Sequence, residues 1–215
     1  MNKAVIFDLD GTLIDSVPDI ADNINKMLVK YDYPTLSENE VKSKVGHGAR
    51  NLVRDCIGLT LTEEELSERL AYYNDIYTNS GSPKTRLFDG VPEVLSELKK
   101  RGYKLAVLTN KPQETTDNVV KNYMSGFGFD KIVGQSGSVK CKPDKAATMN
   151  ILGELGVSPD NAYFVGDGDA DVLTAINSGT KGIAALWGYS PREKLEKFGA
   201  TVFARSPREL LSIID

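Results

Sequence analysis

The chain has 215 residues, a formal net charge of -4, and 40% hydrophobic and 26% charged residues. That length suits one large domain or one domain carrying an insert, with enough apolar material for a sizeable core. An acidic balance without a dominant basic stripe argues against a nucleic-acid partner, and no run approaches the ~18 consecutive apolar residues of a membrane span. The two cysteines, Cys56 and Cys141, have no CxxC or histidine companions, so neither a disulfide framework nor a zinc site is expected. The opening apolar run breaks at Asp8, too early for the core of a signal peptide. A soluble, cytoplasmic protein is the expectation, with monomer and homodimer both open.

In chain order, KAVIF (3–7) reads as a buried strand, followed by DLDGTLID (8–15). Residues 16–84 then contain only helix-like patterns: SVPDIADNINKMLVKYDY, SENEVKSKV, ARNLVRDCIG and TEEELSERLAYYNDIY. This stretch predicts a helical insert that returns through the Gly- and Pro-containing NSGSPKTR (79–86). Beyond it, strands at 104–109, 131–134, 162–166, 182–186 and 201–204 alternate with amphipathic helices, several closed by glycine. The strands are apolar throughout rather than alternating, as parallel strands covered on both faces must be. The predicted fold is therefore α/β: a doubly wound parallel sheet formed by residues 1–15 and 85–215, with an all-α unit at 16–84 inserted after the first strand. SPRE occurs twice, at 190–193 and 206–209, and each copy has the spacing of a capping box.

In such a sheet, ligands bind beyond the carboxyl ends of the strands. The first strand ends in Asp8-Leu9-Asp10-Gly11-Thr12 and the second in Thr109-Asn110. After the third comes Lys142, and the fourth ends in GDGDAD with Asp167, Asp169 and Asp171. Asp or Asn at any one of these ends would be an ordinary turn former or cap, and Asp169 is expected to cap the following helix. Together they put several carboxylates in one place. Two like charges ~4 Å apart cost up to ~4 kcal/mol at an effective dielectric of ~20, so a divalent cation and Lys142 are needed to offset the repulsion. Magnesium suits such oxygen ligands, completed by phosphate oxygens. Backbone N–H groups at Gly11 and Thr12 are placed to hold an anion nearby.

The ordered quartet DLDGT, LTN (108–110), Lys142 in KCKPDK and VGDGDADV (165–172) resembles the four motifs of the haloacid dehalogenase superfamily, in its phosphatase branch. That resemblance spans nearly the whole chain. It implies Asp8 as a nucleophile forming an aspartyl-phosphate and Asp10 as general acid, then base. It implies Thr109 and Lys142 as phosphoryl-binding groups, with Gly11, Thr12 and Asn110 lining the substrate site. It implies magnesium held by Asp8, Asp167, Asp171 and the backbone carbonyl of Asp10. Gly168 stands where a Ser or Thr commonly follows the metal aspartate, so one hydroxyl contact is missing. Asp15 receives no chemical role.

The helical insert resembles a cap that closes over the site and excludes water. Its VGHGARNLV segment (45–53) is similar to the specificity loop of phosphoglycolate phosphatases. His47 and Arg50 are therefore candidates for a substrate carboxylate, against the alternatives of a polar surface histidine and an ion pair within the cap. Lys44 is a surface lysine or a Schiff-base former, and Cys141 an inert neighbour of Lys142 or a thiol activated by it. The expected activity is magnesium-dependent hydrolysis of a small phosphorylated metabolite, 2-phosphoglycolate-like. A phosphomutase of the β-phosphoglucomutase type, a pyrophosphatase and a non-catalytic phospholigand sensor remain open.

Overall fold

The computed structural model describes residues 2–137 and 139–215. The first strand, β1 (Ala4–Phe7), is followed by a two-residue strand, β2 (Ile14–Asp15). Four helices follow: α1 (Val17–Lys30), α2 (Glu38–Lys42), α3 (Ala49–Ile57) and α4 (Glu63–Asn79). A second short strand, β3 (Arg86–Leu87), pairs antiparallel with β2. The chain then alternates through α5 (Val91–Lys100), β4 (Lys104–Pro112), α6 (Gln113–Tyr123), β5 (Lys131–Gln135), α7 (Ala146–Leu155) and β6 (Ala162–Gly166). It closes with α8 (Asp169–Ser178), β7 (Lys181–Ala185), α9 (Arg192–Lys197), β8 (Phe203–Ala204) and α10 (Leu210–Ile213).

Six strands form one sheet in the order β5-β4-β1-β6-β7-β8, every adjacent pair parallel. Side chains alternate faces along each strand. On β1, Val5 and Phe7 enter one core with α5 and α6, while Ala4 and Ile6 enter another with α7 and α8. Leu105 and Val107 of β4, and Tyr163 and Val165 of β6, join the first; Ala106, Leu108, Ala162 and Phe164 join the second. This two-faced burial is why the strands read as unbroken apolar runs. The α/β doubly wound reading of the sequence holds.

Helices α1 to α4 bury a core of their own, built on Ile20, Ile24, Met27, Leu28, Leu52, Val53, Tyr73 and Tyr77. The chain crosses between the two cores at β2 and β3. Asp19, buried near the start of α1, fastens the return crossing by accepting from the Lys84 N–H (3.0 Å) and the Thr85 hydroxyl (2.7 Å). Asp15 pairs with Arg86 beside it at 2.8 Å.

Several local expectations are corrected. Neither SPRE forms a capping box: Pro191 itself caps α9, and Ser206 leads a short 3-10 turn (Pro207–Glu209) with no side-chain cap bond. Glu209 instead accepts from the Arg205 N–H at 2.6 Å. The capping boxes lie at Ser37/Glu40 and Thr62/Glu65. Asp169 does not cap α8; Gly168 occupies that place, and the Asp171 carboxylate accepts its N–H at 2.9 Å. The second core strand runs on past 109 to Pro112, and the last is only two residues long.

Candidate active site

The loop after β1 is short because its apolar residues turn back into the core. Leu9 and Leu13 are buried there, and the Leu9 carbonyl accepts from the N–H groups of Thr12, Leu13 and Ile14 at 2.9–3.2 Å. Gly11 takes φ +87°, a conformation that costs a glycine little, and donates to the Ile14 carbonyl at 2.8 Å. Asp8 is fixed at the strand end by its N–H bond to the Val165 carbonyl (2.9 Å). The centre of the sheet thus carries Asp8 at β1, Thr109–Lys111 within β4 and Asp167 just past β6.

Three carboxylates meet here. Asp8, Asp167 and Asp171 are all buried, and each offers an oxygen within 4.8 Å of the others. Lys142, with a side chain only 2% exposed, reaches Asp8 Oδ1 at 2.7 Å and Asp171 Oδ1 at 2.6 Å. Its approach to Asp8 is close but off-axis, and Asp8 Oδ1 has no hydrogen-bond partner of proper geometry among the described residues. Asp167 accepts from the Thr12 hydroxyl (2.9 Å) and from the Tyr189 N–H (2.7 Å). Room for these carboxylates depends on glycine. A Cβ on Gly11 or Gly188 would lie 2.3 or 2.2 Å from Asp167 atoms, and one on Gly166 would lie 2.3 Å from Asp171.

The electrostatics match this crowding. Burial, together with the charge of Asp171, pushes Asp8 up to about 7 despite Lys142 beside it. Burial with Asp8 and Asp171 pushes Asp167 to about 8. Burial alone would lower Lys142, but Asp171 and Asp8 reverse that and raise it. Without further positive charge, the cluster holds on to protons.

Asp10 points elsewhere. Its Oδ1 accepts from the Ser16 hydroxyl (2.5 Å) and from Lys111 Nζ (2.9 Å), and its Oδ2 lies 3.1 Å from the same Lys111 nitrogen. Two clefts adjoin at these aspartates. One, about 480 Å³ with its mouth, is walled mainly by Ile20, Val45, Ala49, Leu52, Tyr73 and Tyr77 from the helical unit, with Thr109, Asn110 and Lys111 below. The other, about 680 Å³, is polar and runs along Asp167–Asp171, Lys42, Tyr189 and Lys194.

Residues 5–185 match the family of haloacid dehalogenase-like hydrolases. The chain belongs to that family. It is 33% identical to phosphoglycolate phosphatase 1 of Pseudomonas aeruginosa over 99% of this chain and 80% of that one. It is 31% identical to N-acetylmuramic acid 6-phosphate phosphatase of the same organism over 99% of this chain and 95% of that one. A haloacid dehalogenase-like hydrolase structure from Streptococcus pneumoniae superposes with a TM-score of 0.87 at 27% identity, covering 100% of this chain and 99% of that one.

For a haloacid dehalogenase-like hydrolase, the donor set fits a hard divalent cation such as magnesium: an all-oxygen cluster of three buried carboxylates, and glycines that clear space around Asp167. Asp167 and Asp171 are each tied on both oxygens, Asp167 to the Thr12 hydroxyl and the Tyr189 N–H, Asp171 to Lys142 and the Gly168 N–H. A Cβ at 168 would lie 3.3 Å from Asp171 Oδ2, so glycine there leaves the Asp171 bond undisturbed.

Gly11 and Thr12 do not hold an anion as expected: their N–H groups are spent on the Ile14 and Leu9 carbonyls, and neither residue lines either cleft. Thr109 is buried on the cleft wall, its hydroxyl accepting from the Lys111 N–H (3.2 Å). Asn110 also lines that cleft, but its amide is spent on backbone: it accepts from the Lys142 N–H (2.7 Å) and donates to the Gly46 carbonyl (2.9 Å). His47 and Arg50 line neither cleft. His47 Nε2 sits 3.5 Å from Asp169, and Arg50 pairs with Glu63 inside the helical unit. Arg54 likewise pairs with Asp55. Cys141 is not activated: burial pushes its thiol up, outweighing Lys142.

Sequence reasoning missed Lys111, Tyr77, Ser16, Gly188 and Tyr189. Lys111 immediately follows Thr109-Asn110, and extending that strand by two residues would have pointed to it. Ser16 lies six residues past Asp10 at the start of the helical unit, and the others reach the site from elements distant in sequence.

Proposed function

We propose that this protein is a magnesium-dependent phosphomonoester hydrolase of small phosphorylated metabolites, 2-phosphoglycolate-like, working through an aspartyl-phosphate on Asp8. The observation that carries this reading is the division of labour between Asp8 and Asp10. Asp8 turns Oδ1 into the acidic cluster, where it meets the Lys142 ammonium at 2.7 Å, while the Asp10 carboxylate is held by Lys111 and Ser16. The family assignment and the phosphatase names of the relatives support the same chemistry.

In this mechanism Asp8, Asp167 and the Asp10 carbonyl would hold magnesium, which when bound would supply positive charge to the carboxylates and to the phosphoryl oxygens. Thr109 and Lys142 bind those oxygens and aim phosphorus at Asp8. A carboxylate oxygen of Asp8 attacks phosphorus as the ester bond breaks, and Asp10 gives its proton to the departing alkoxide. Asp10 then takes a proton from water, whose oxygen attacks the aspartyl-phosphate, releasing phosphate and restoring Asp8. Helices 16–84 act as a cap that closes the cleft over the organic half of the substrate and keeps bulk water from the acyl phosphate.

The two relatives are named for different acids, and the smaller of them, glycolate, is the one proposed. The test is release of phosphate from p-nitrophenyl phosphate and 2-phosphoglycolate with magnesium. The wild type is expected to turn over both and Asp8→Asn neither; equal rates for the two proteins would contradict the mechanism.

A further inference from the structure

Lys111 belongs to none of the family motifs expected from the sequence, yet its ammonium group is among the most enclosed charges in the molecule, with a side chain 2% exposed. Its Nζ contacts both oxygens of Asp10, at 2.9 and 3.1 Å, and donates to the Tyr77 hydroxyl at 2.7 Å. The same nitrogen lies 4.6 Å from the centre of the Tyr77 ring. A buried ammonium is stable only where its donors are satisfied and its charge is matched, and here both conditions are met by two residues. Tyr77 belongs to the last helix of the inserted unit, and Asp10 to the loop after the first core strand. The remaining contact to Asp10, from Ser16 at 2.5 Å, comes from the residue that leads into the first helix of that unit.

The consequence is a separation of charges at one strand end. Asp8 and Asp10 are two residues apart, and each has its own lysine: Lys142 for Asp8, Lys111 for Asp10. Lys142 is already shared by Asp8 and Asp171, and the Asp10 carboxylate, only 13% exposed, makes its ion pair with Lys111. We propose that Lys111, clamped by Tyr77, is a positioning residue that holds Asp10 on the leaving-group side of the site and so sets its competence as the proton donor. Lys111 acts through Asp10 and makes no contact with the reacting phosphoryl group. The inference rests on the phosphomonoesterase reading above.

A proton donor matters when the departing alcohol is a poor leaving group and matters little when it leaves as a stabilised phenolate. The test therefore compares kcat/KM, which covers steps up to departure of the alcohol, for 2-phosphoglycolate and for p-nitrophenyl phosphate. Lys111→Met is expected to lower the alkyl ester value by ~10- to 100-fold, the scale of general acid assistance, and the aryl ester value by less than about threefold. Lys111→Arg should restore part of the alkyl activity, and Tyr77→Phe should show the same split at smaller size. In an Asp10→Asn background, Lys111→Met should cost nothing further on the alkyl ester, because the two residues act as one unit. The aryl ester also reports that the variant is folded. Equal losses on both esters, no loss on either, or additive losses with Asp10→Asn would overturn the proposal. Failure of the phosphatase reading itself would appear separately, as a wild type inactive on both esters.

Discussion

Gly188 has no side chain, and that is its contribution. A Cβ there would fall 2.2 Å from the Asp167 Cβ, so any larger residue must displace a carboxylate at the proposed metal position. Gly188→Ala is expected to weaken magnesium activation by ~10- to 100-fold, the scale of perturbations just outside a metal's direct ligands. A magnesium titration of activity measures it; an unchanged half-saturation point would contradict this placement. The raised carboxyls make a second prediction. Asp8 at about 7 and Asp167 at about 8 both start from 3.8, so each binds its proton more tightly in the folded chain than in the unfolded one. Between those limits the folded state carries more protons, and the stability they contribute is present at low pH and lost as pH rises through 7 to 8. Metal-free protein should therefore melt at a lower temperature at about pH 8 than at about pH 5, and magnesium should reverse the fall at the higher pH. Thermal melts in EDTA and in magnesium check both signs.

At the scale of elements, the core strands were legible because burial on two faces keeps their centres apolar, and polar residues then gather at their ends. DLDGT could be read as a site for that reason. Lys111 could not, because a lysine two residues beyond a strand reads as solvated; its burial follows from β4 running on to Pro112 beneath the helical unit. The SPRE copies show the opposite failure: their spacing was right, but the chain turns so that Glu209 caps the Arg205 N–H instead. Thr62, whose box with Glu65 does form, starts α4 far from the reacting groups. Thr62→Ala should cost ~1 kcal/mol, or ~2–4 °C in Tm for a chain of this size, and leave kcat/KM unchanged. A changed kcat/KM would mean that the start of α4 is coupled to the site.

At the scale of the whole molecule, the site exists only where the two cores meet. The sheet supplies Asp8, Thr109, Lys142 and Asp167, while the helical unit supplies the apolar wall and Tyr77. The insert itself was visible from its helical rhythm, but its contacts were not. His47 and Arg50 are set in a suggestive loop, yet they serve Asp169 and Glu63, because which way a loop residue faces is decided by packing that no spacing encodes. Tyr189 approaches Asp167 from the turn after β7 for the same reason. In the proposed mechanism Asp8 is phosphorylated during turnover. Quenching the magnesium-activated enzyme with borohydride during hydrolysis of 2-phosphoglycolate reduces an acyl phosphate to the alcohol, and peptide mass mapping then locates it. Conversion of Asp8 to homoserine is the predicted result; turnover with residue 8 recovered unchanged and another carboxylate reduced would contradict it.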